Sequence, residues 1–204
     1  MIIGNCVDRM PIKPGSLGRP IPGHEIALLD TEGARVATGE VGEIALKRPV
    51  PAMFLRYWND ETATREKFSG DWLLTGDLAR QDEDGYLWYV ARKDDVISSG
   101  AYRIGPGEIE TCLTGHPAVA VAAAVGSPDP IRGEVVKAFV QLREGYQPTP
   151  ALAQELQLHV RTRLSAHEYP REIEFHEAIP TTTTGKVMRK ELRALEHARK
   201  RQSP

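Results

Sequence analysis

Residues 89–110 read YVARKDDVISSGAYRIGPGEIE, and the organisation of the chain turns on them. An apolar run, Tyr86 to Val90, enters the stretch with the composition of a strand. Arg92, Lys93, Asp94 and Asp95 follow side by side. Contiguous charges are costly to bury, so they predict an exposed junction. Ser98-Ser99-Gly100 reads as a turn whose backbone N–H groups can approach a ligand closely. Arg92 and Arg103 are forked donors suited to hydroxyls and phosphate. Gly105-Pro106-Gly107 and Glu108 then open a helix. One unit ends and another begins here, with the boundary at Lys93 or Asp94: residues 1–93 and 94–204.

Upstream of the junction the pattern is β-rich. Residues 1 to 24 are dense in Pro and Gly and predict irregular backbone feeding a strand. Glu25 to Leu29 is a short apolar run, and Asp30 to Gly33 a turn. In Gly42 to Lys47, Ile44 and Leu46 alternate against Glu43, Ala45 and Lys47, which predicts a strand with its glutamate facing away from the core. A helix is expected from Asn59 or Asp60 to about Phe68, capped by Asp60. Residues 71–77 form a strand ending in a polar turn at Thr75-Gly76-Asp77, and Asp84-Gly85 signals a hairpin between Leu78–Asp82 and Tyr86–Val90. Short strands with frequent turns suggest a small barrel or sheet.

Downstream, strands and helices interleave. Ile109, Cys112 and Leu113 share a helical face that Gly115 and Pro117 close. Ala118 to Val125 fits a buried strand. Val135 to Leu142 is another, with Lys137 and Gln141 facing out. Thr149 and Pro150 start a helix whose Leu152, Leu156, Val160 and Leu164 repeat every four residues. Ile173 and Phe175 alternate in a short strand, and Met188 to Lys200 is a helix with Leu192 and Leu195 on one face. The fold class is α+β: a small β-rich subdomain followed by a mobile α+β lid.

The 204 residues carry 26 basic and 28 acidic side chains, a net charge of −2, which gives no electrostatic case for nucleic acid or an anionic membrane. The two cysteines, Cys6 and Cys112, make neither a disulfide framework nor a metal pair and favour a reducing, cytoplasmic setting. No signal peptide is expected in residues 1–10, and no apolar run approaches the roughly 20 residues of a membrane helix. TTTTGKV, residues 181–187, is no phosphate loop, because it lacks the first Gly and the Ser or Thr after Lys186.

Five motifs stand in order: GSLGRPIPG (15–23), WLLTGD (72–77), residues 91–110, SPDPIRGEVVKAFV (127–140), and EYPREIEF (168–175) followed by IPTTTTGKVMRKEL (179–192). Taken singly, their residues have plainer readings. Asp77 can end a β-turn, Arg92 can pair with Asp94 or Asp95 in solvent, and Arg103 can be a sheet-edge arginine. Lys186 can belong to the basic tail that runs to Arg201, and Arg161 can be a solvated helix side chain.

In this order the motifs resemble the C-terminal third of the AMP-forming acyl-CoA synthetases, of the adenylate-forming superfamily. AYRIGP and PDPIRGEVVKAF are most similar to the medium-chain branch. The resemblance implies a carboxylate–CoA ligase acting on a medium-chain fatty or aromatic acid. The carboxylate attacks the α-phosphate of ATP, giving acyl-AMP and pyrophosphate, and the thiol of CoA then displaces AMP. By resemblance Lys186 is the catalytic lysine of adenylation. Asp77 and Arg92 contact the AMP ribose, Arg103 the α-phosphate, and Tyr169 lies near the nucleotide. Asp94 matches the hinge. Ser99, Gly100, Ala101 and Tyr102 line the CoA path, and Arg132 and Arg161 meet CoA phosphates. Mg2+ accompanies ATP, with no metal ligand expected in this chain.

Ala91 replaces the family's usual Gly, Ser98 a Lys or Asn, Gly100-Ala101 a Ser-Gly, and Thr181 and Thr184 the Lys and Ser of PKTxSGK. The phosphate-binding loop, adenine segment and acyl pocket of the family would precede Met1. The chain is therefore expected to be inactive as a ligase alone, and to expose apolar surface near residues 1–30 that associates with the missing part or with itself. Rival readings are a non-catalytic nucleotide- or CoA-binding module, and an adenylating enzyme whose acceptor is a carrier protein.

Overall fold

The computed structural model describes residues 1–51 and 53–202, and the chain divides into two compact units after Asp94, one residue beyond the boundary read from sequence. In the first unit, β1 (Ile3–Gly4) and β2 (Arg19–Pro20) pair antiparallel. Residues 1–24 were expected to be irregular throughout; the ribbon forms where Ile3 sits opposite Pro20. Next come β3 (Ile26–Leu29), β4 (Val41–Lys47), α1 (Glu61–Glu66), β5 (Phe68–Ser69), β6 (Trp72–Gln81) and β7 (Leu87–Arg92). The sheet runs β3-β4-β6, with β5 and β7 pairing β6. The β6–β7 hairpin turns where Asp84-Gly85 predicts it, and Asp60 caps α1 by accepting from the Ala63 N–H at 2.8 Å. Leu28, Ile44, Ala79 and Leu87 fill one side of this sheet, and Ala27, Leu29 and Ala45 the other.

The second unit begins with β8 (Ile97–Ser99) and β9 (Tyr102–Ile104), followed by α2 (Pro106–Thr114), β10 (Val119–Asp129) and β11 (Gly133–Leu142). It continues with α3 (Pro150–Arg161), β12 (Glu172–Phe175) and α4 (Arg189–Gln202). The sheet order is β10-β11-β8-β9, and β12 joins β11 in parallel. Thr149 caps α3 through the Leu152 N–H at 3.1 Å. β10 and β11 are apolar on both sides because both faces are covered. Ala122, Ala124, Val136 and Ala138 pack with Ile109 and Leu113 of α2 and Leu156 and Val160 of α3. Ala123, Val125 and Phe139 pack with Ile179 and with Leu192 of α4.

Within the strands and helices three expectations fail, each at the question of which side chain faces water. Lys137 does not face solvent: its ammonium is buried against Glu196 of α4 and lies 2.9 Å from Glu174. Leu195 is exposed, and the buried face of α4 is made by Leu192 and Glu196, one turn apart. Glu43 is buried in β4 and not turned to water. Among the described residues no helix is long and apolar enough to cross a membrane, and no cluster of His, Cys, Asp and Glu is placed to hold a metal.

Candidate functional site

β6 does not stop at Thr75-Gly76-Asp77, as its composition suggests; it bulges there and continues to Gln81. Opposite β4 the register passes from Ala45↔Leu74 to Glu43↔Leu78, so β6 spends extra residues on the same length of partner. Polar side chains replace the missing ladder bonds. Thr75 Oγ1 donates to the Ile44 carbonyl at 2.8 Å, and the buried Glu43 carboxylate accepts the Gly76 N–H at 2.9 Å. The other Glu43 oxygen takes Lys93 Nζ at 2.8 Å.

A second register shift, in the β6–β7 pairing between Leu78 and Ala79, sets Asp77 opposite Arg92. Arg92 Nη1 donates to Asp77 Oδ1 at 3.1 Å and to the Thr75 carbonyl at 3.3 Å, while its Nε reaches Asp94 Oδ1 at 3.3 Å. Burial pulls the Arg92 guanidinium down, and Asp77 and Asp94 outweigh it and hold its pKa above the ordinary value. Asp77 is 38% and Arg92 41% exposed, so the pair is braced yet open to a ligand. The Arg92–Asp94 contact expected of a solvated pair is present, and so is the contact to Asp77 that spacing alone does not require.

Gly76 has φ +80°, and a Cβ there would lie 2.9 Å from Arg92 Nη2. Gly76→Ala is expected to cost about 1–2 kcal/mol through strained backbone and a displaced guanidinium. A urea unfolding midpoint equal to wild type would show that neither matters.

In the second unit, Ser99, Gly100, Ala101, Tyr102 and Arg132 line one cavity of about 330 Å3, together with Ala166, His167 and Arg171. Ser98 and Ser99 lie in β8, so the turn itself is Gly100-Ala101. The Tyr102 and His167 rings stack with centroids 4.1 Å apart. Arg161 is not in that lining; its guanidinium lies 5.6 Å from the Tyr169 ring centroid, with Arg171 at 5.2 Å. Arg103 is exposed on β9, opposite Ser98 at the sheet edge.

Lys186 stands exposed in a closed loop. Thr181 and Val187 bridge, the Thr182 N–H donates to the Lys186 carbonyl at 2.8 Å, and Gly185 has φ +80°. Only glycine takes that conformation readily. Asp95 is not exposed, unlike the junction read from sequence. Two guanidinium groups of α4 hold its carboxylate, with Arg189 Nη1 at 3.3 Å and Arg193 Nη2 at 2.8 Å. The adjacent acids Asp94 and Asp95 therefore serve different units.

Glu43, His167, Arg171 and Arg189 were not singled out by sequence reasoning. Arg189 lies within the GKVMR stretch and could have been found there, whereas Glu43 carried no local signal.

Residues 108–186 match the family model described as AMP-binding enzyme C-terminal domain. The chain is 46% identical over 188 residues to acetyl-coenzyme A synthetase of Bacillus subtilis, covering 92% of this chain and 33% of the relative. It is 46% identical over 202 residues to acyl-coenzyme A synthetase ACSM3, mitochondrial, of Mus musculus, covering 96% and 34%. Among solved structures, the anthranilate CoA ligase AuaEII in complex with anthranoyl-AMP superposes with a TM-score of 0.83 at 38% identity, over 96% of this chain and 37% of that one. A benzoate CoA ligase from Burkholderia xenovorans gives 0.74 at 39% identity, over 89% and 36%. The chain spans about a third of the length of the curated relatives it matches. It contains an AMP-binding enzyme C-terminal domain and is homologous to the C-terminal portion of acyl-CoA synthetases.

Proposed function

We propose that the chain supplies the C-terminal portion of an ATP-dependent carboxylate–CoA ligase that forms acyl-AMP and then acyl-CoA. The observation that carries this reading is the Asp77–Arg92 pair, held 3.1 Å apart across β6 and β7 with both groups half exposed. A carboxylate offers two acceptor oxygens to the ribose diol, and the guanidinium beside it fixes where that carboxylate points. Arg103 contributes a positive charge for the α-phosphate. Lys186 brings an ammonium to the acyl carboxylate and α-phosphate, stabilising charge as the mixed anhydride forms. Mg2+ travels with ATP and takes no ligand from these residues.

For the second half-reaction, the cavity at Ser99, Gly100, Ala101, Tyr102 and Arg132 admits CoA, with Arg161 as a further contact, while Tyr169 serves the nucleotide. Asp94 acts as the hinge between the two half-reactions. The acid is a medium-chain fatty or aromatic carboxylate, in line with the anthranilate and benzoate ligases among the structural relatives. Two unpaired cysteines, Cys6 and Cys112, fit a cytoplasmic setting.

The test joins the chain to the remaining length of its relatives and measures acid-dependent ATP–pyrophosphate exchange. Exchange with thioester formation is the expected result. Nucleotide or CoA binding without exchange would leave only a binding module, and exchange without affinity for free CoA would point to a carrier-protein acceptor.

Asp94→Pro fixes φ and removes an N–H at the junction. It is expected to slow thioester formation several-fold more than adenylation, since the hinge acts between the two steps. Equal slowing of both half-reactions would reduce Asp94 to a surface residue.

A further inference from the structure

We infer that Arg189 is a positioning residue for Lys186, locking the lysine's loop to Asp95 at the entry of the second unit. The inference rests on the reading of Lys186 and Asp94 given above and adds the part that connects them. Arg189 follows Lys186 by three residues and is the first residue of α4. Its guanidinium turns back on Glu110 of α2 in a bidentate pair, with Nε 2.7 Å from Oε1 and Nη2 on Oε2, and its Nη1 reaches Asp95. Glu110 Oε1 also accepts the Ala124 N–H of β10 at 2.9 Å. Arg193, one turn along α4, takes the other Asp95 oxygen. The Asp95 and Glu110 side chains are both only 13% exposed. Without Arg189 they would be poorly solvated carboxylates with a partner missing.

Apolar packing holds part of this region: Ile179 and the partly buried Val187 join Leu192 in one cluster beside the loop. Leu192 is the buried apolar side chain of α4, and the rest of the helix is held by charge: Glu196 on Lys137, Arg199 on Glu174, Lys200 on Glu172. On top of that packing, Arg189 and Arg193 fix the orientation of the start of α4, and with it the loop bearing Lys186. A bidentate arginine fixes orientation as well as distance, which a lysine cannot do. Any rotation at Asp94 is delivered to Asp95 next along the chain and, through Arg189, to the lysine loop.

Hydrogen exchange on the 204-residue chain tests the clamp directly. The Thr182, Gly185 and Met188 amides bond within the loop or to Pro180. In Arg189→Ala and in Asp95→Asn they should exchange about tenfold faster, with the α3 amides of Leu156 and Val160 unchanged and Arg189→Lys intermediate. Asp95→Asn keeps the shape of the site and carries the test if Arg189→Ala does not fold. Wild-type exchange in the loop of Asp95→Asn would overturn the clamp. In a polypeptide of the relatives' full length, Arg189→Ala should lower kcat for adenylation while KM for ATP holds, with Lys186→Ala run beside it. Intact adenylation in Lys186→Ala would sink the reading of the lysine, and the exchange data would still decide the clamp. Normal kcat in Arg189→Ala with a loosened loop would show that the clamp has no bearing on catalysis.

Discussion

Lys186→Ala, in a polypeptide of the relatives' full length, is expected to cut acyl-AMP formation by about 10²–10³-fold or more, the scale of losing one charge-stabilising donor. Thioester formation from supplied acyl-AMP should continue near its normal rate. The separation follows from when charge appears. Attack of a carboxylate on the α-phosphate gathers negative charge at both reactants, and an ammonium between them acts on that step. Displacement of AMP by a thiol occurs after the phosphoryl chemistry is over. The loop is built for such a role. The Thr181–Val187 bridge closes it, so it holds its shape, and its lysine is exposed. Single-turnover measurements of the two half-reactions check this, and equal loss in both would remove Lys186 from the first step.

The second large effect is on stability. Lys137→Met should destabilise the second unit by about 3–5 kcal/mol, because it leaves the buried Glu196 carboxylate without its cation. Glu196 accepts from Ser127 Oγ at 2.7 Å as well, but a hydroxyl does not neutralise it. Replacing both partners, Lys137→Met with Glu196→Leu, should recover most of the loss, since an apolar pair asks for no counter-charge. Urea unfolding of the wild type and both variants decides it; a double variant no better than Lys137→Met would show that geometry and not charge is at stake.

The same cluster sets an acid limit. Burial raises the Glu174 carboxyl, and Arg199, Lys137 and His176 outweigh that and hold it at about 2, against an ordinary 4.5. Burial likewise raises Glu196, and Lys137 with Ser127 brings it below its ordinary value. Both folded-state values lie below the unfolded ones, so between about pH 4.5 and 2 the unfolded chain binds more protons. Stability from these groups is complete above pH 4.5 and drains away as the pH falls. In Lys137→Met that slope should flatten.

Much of this architecture could be read from the residues. α3 announced itself through the Thr149-Pro150 start and apolar side chains every fourth position, and β10 through the unbroken apolar run from Ala118 to Val125. The hairpin at Asp84-Gly85 brings Asp77 and Arg92 to neighbouring strands, but the pairing itself needs the register shift between Leu78 and Ala79, which nothing in the local sequence announces. The failures share a physical cause. Glu43 and Lys137 occupy positions that alternation assigns to solvent, and each is buried because its partner arrives from far along the chain. Lys93 lies 50 residues beyond Glu43, and Glu196 lies 59 beyond Lys137. A window of local sequence holds no trace of such a partner. The bulge at Gly76 was hidden for the same reason: Thr-Gly-Asp reads as a turn until a buried carboxylate from β4 is there to take the N–H.

Asp94 and Asp95 are chain neighbours whose carboxylates belong to different halves of the molecule, one to Arg92 and the other to Arg189 and Arg193. A splice at the peptide bond between them would sever none of those ion pairs. Each half then becomes a cassette that carries these pairs with it, and a homologue's piece joined at that bond would leave them intact.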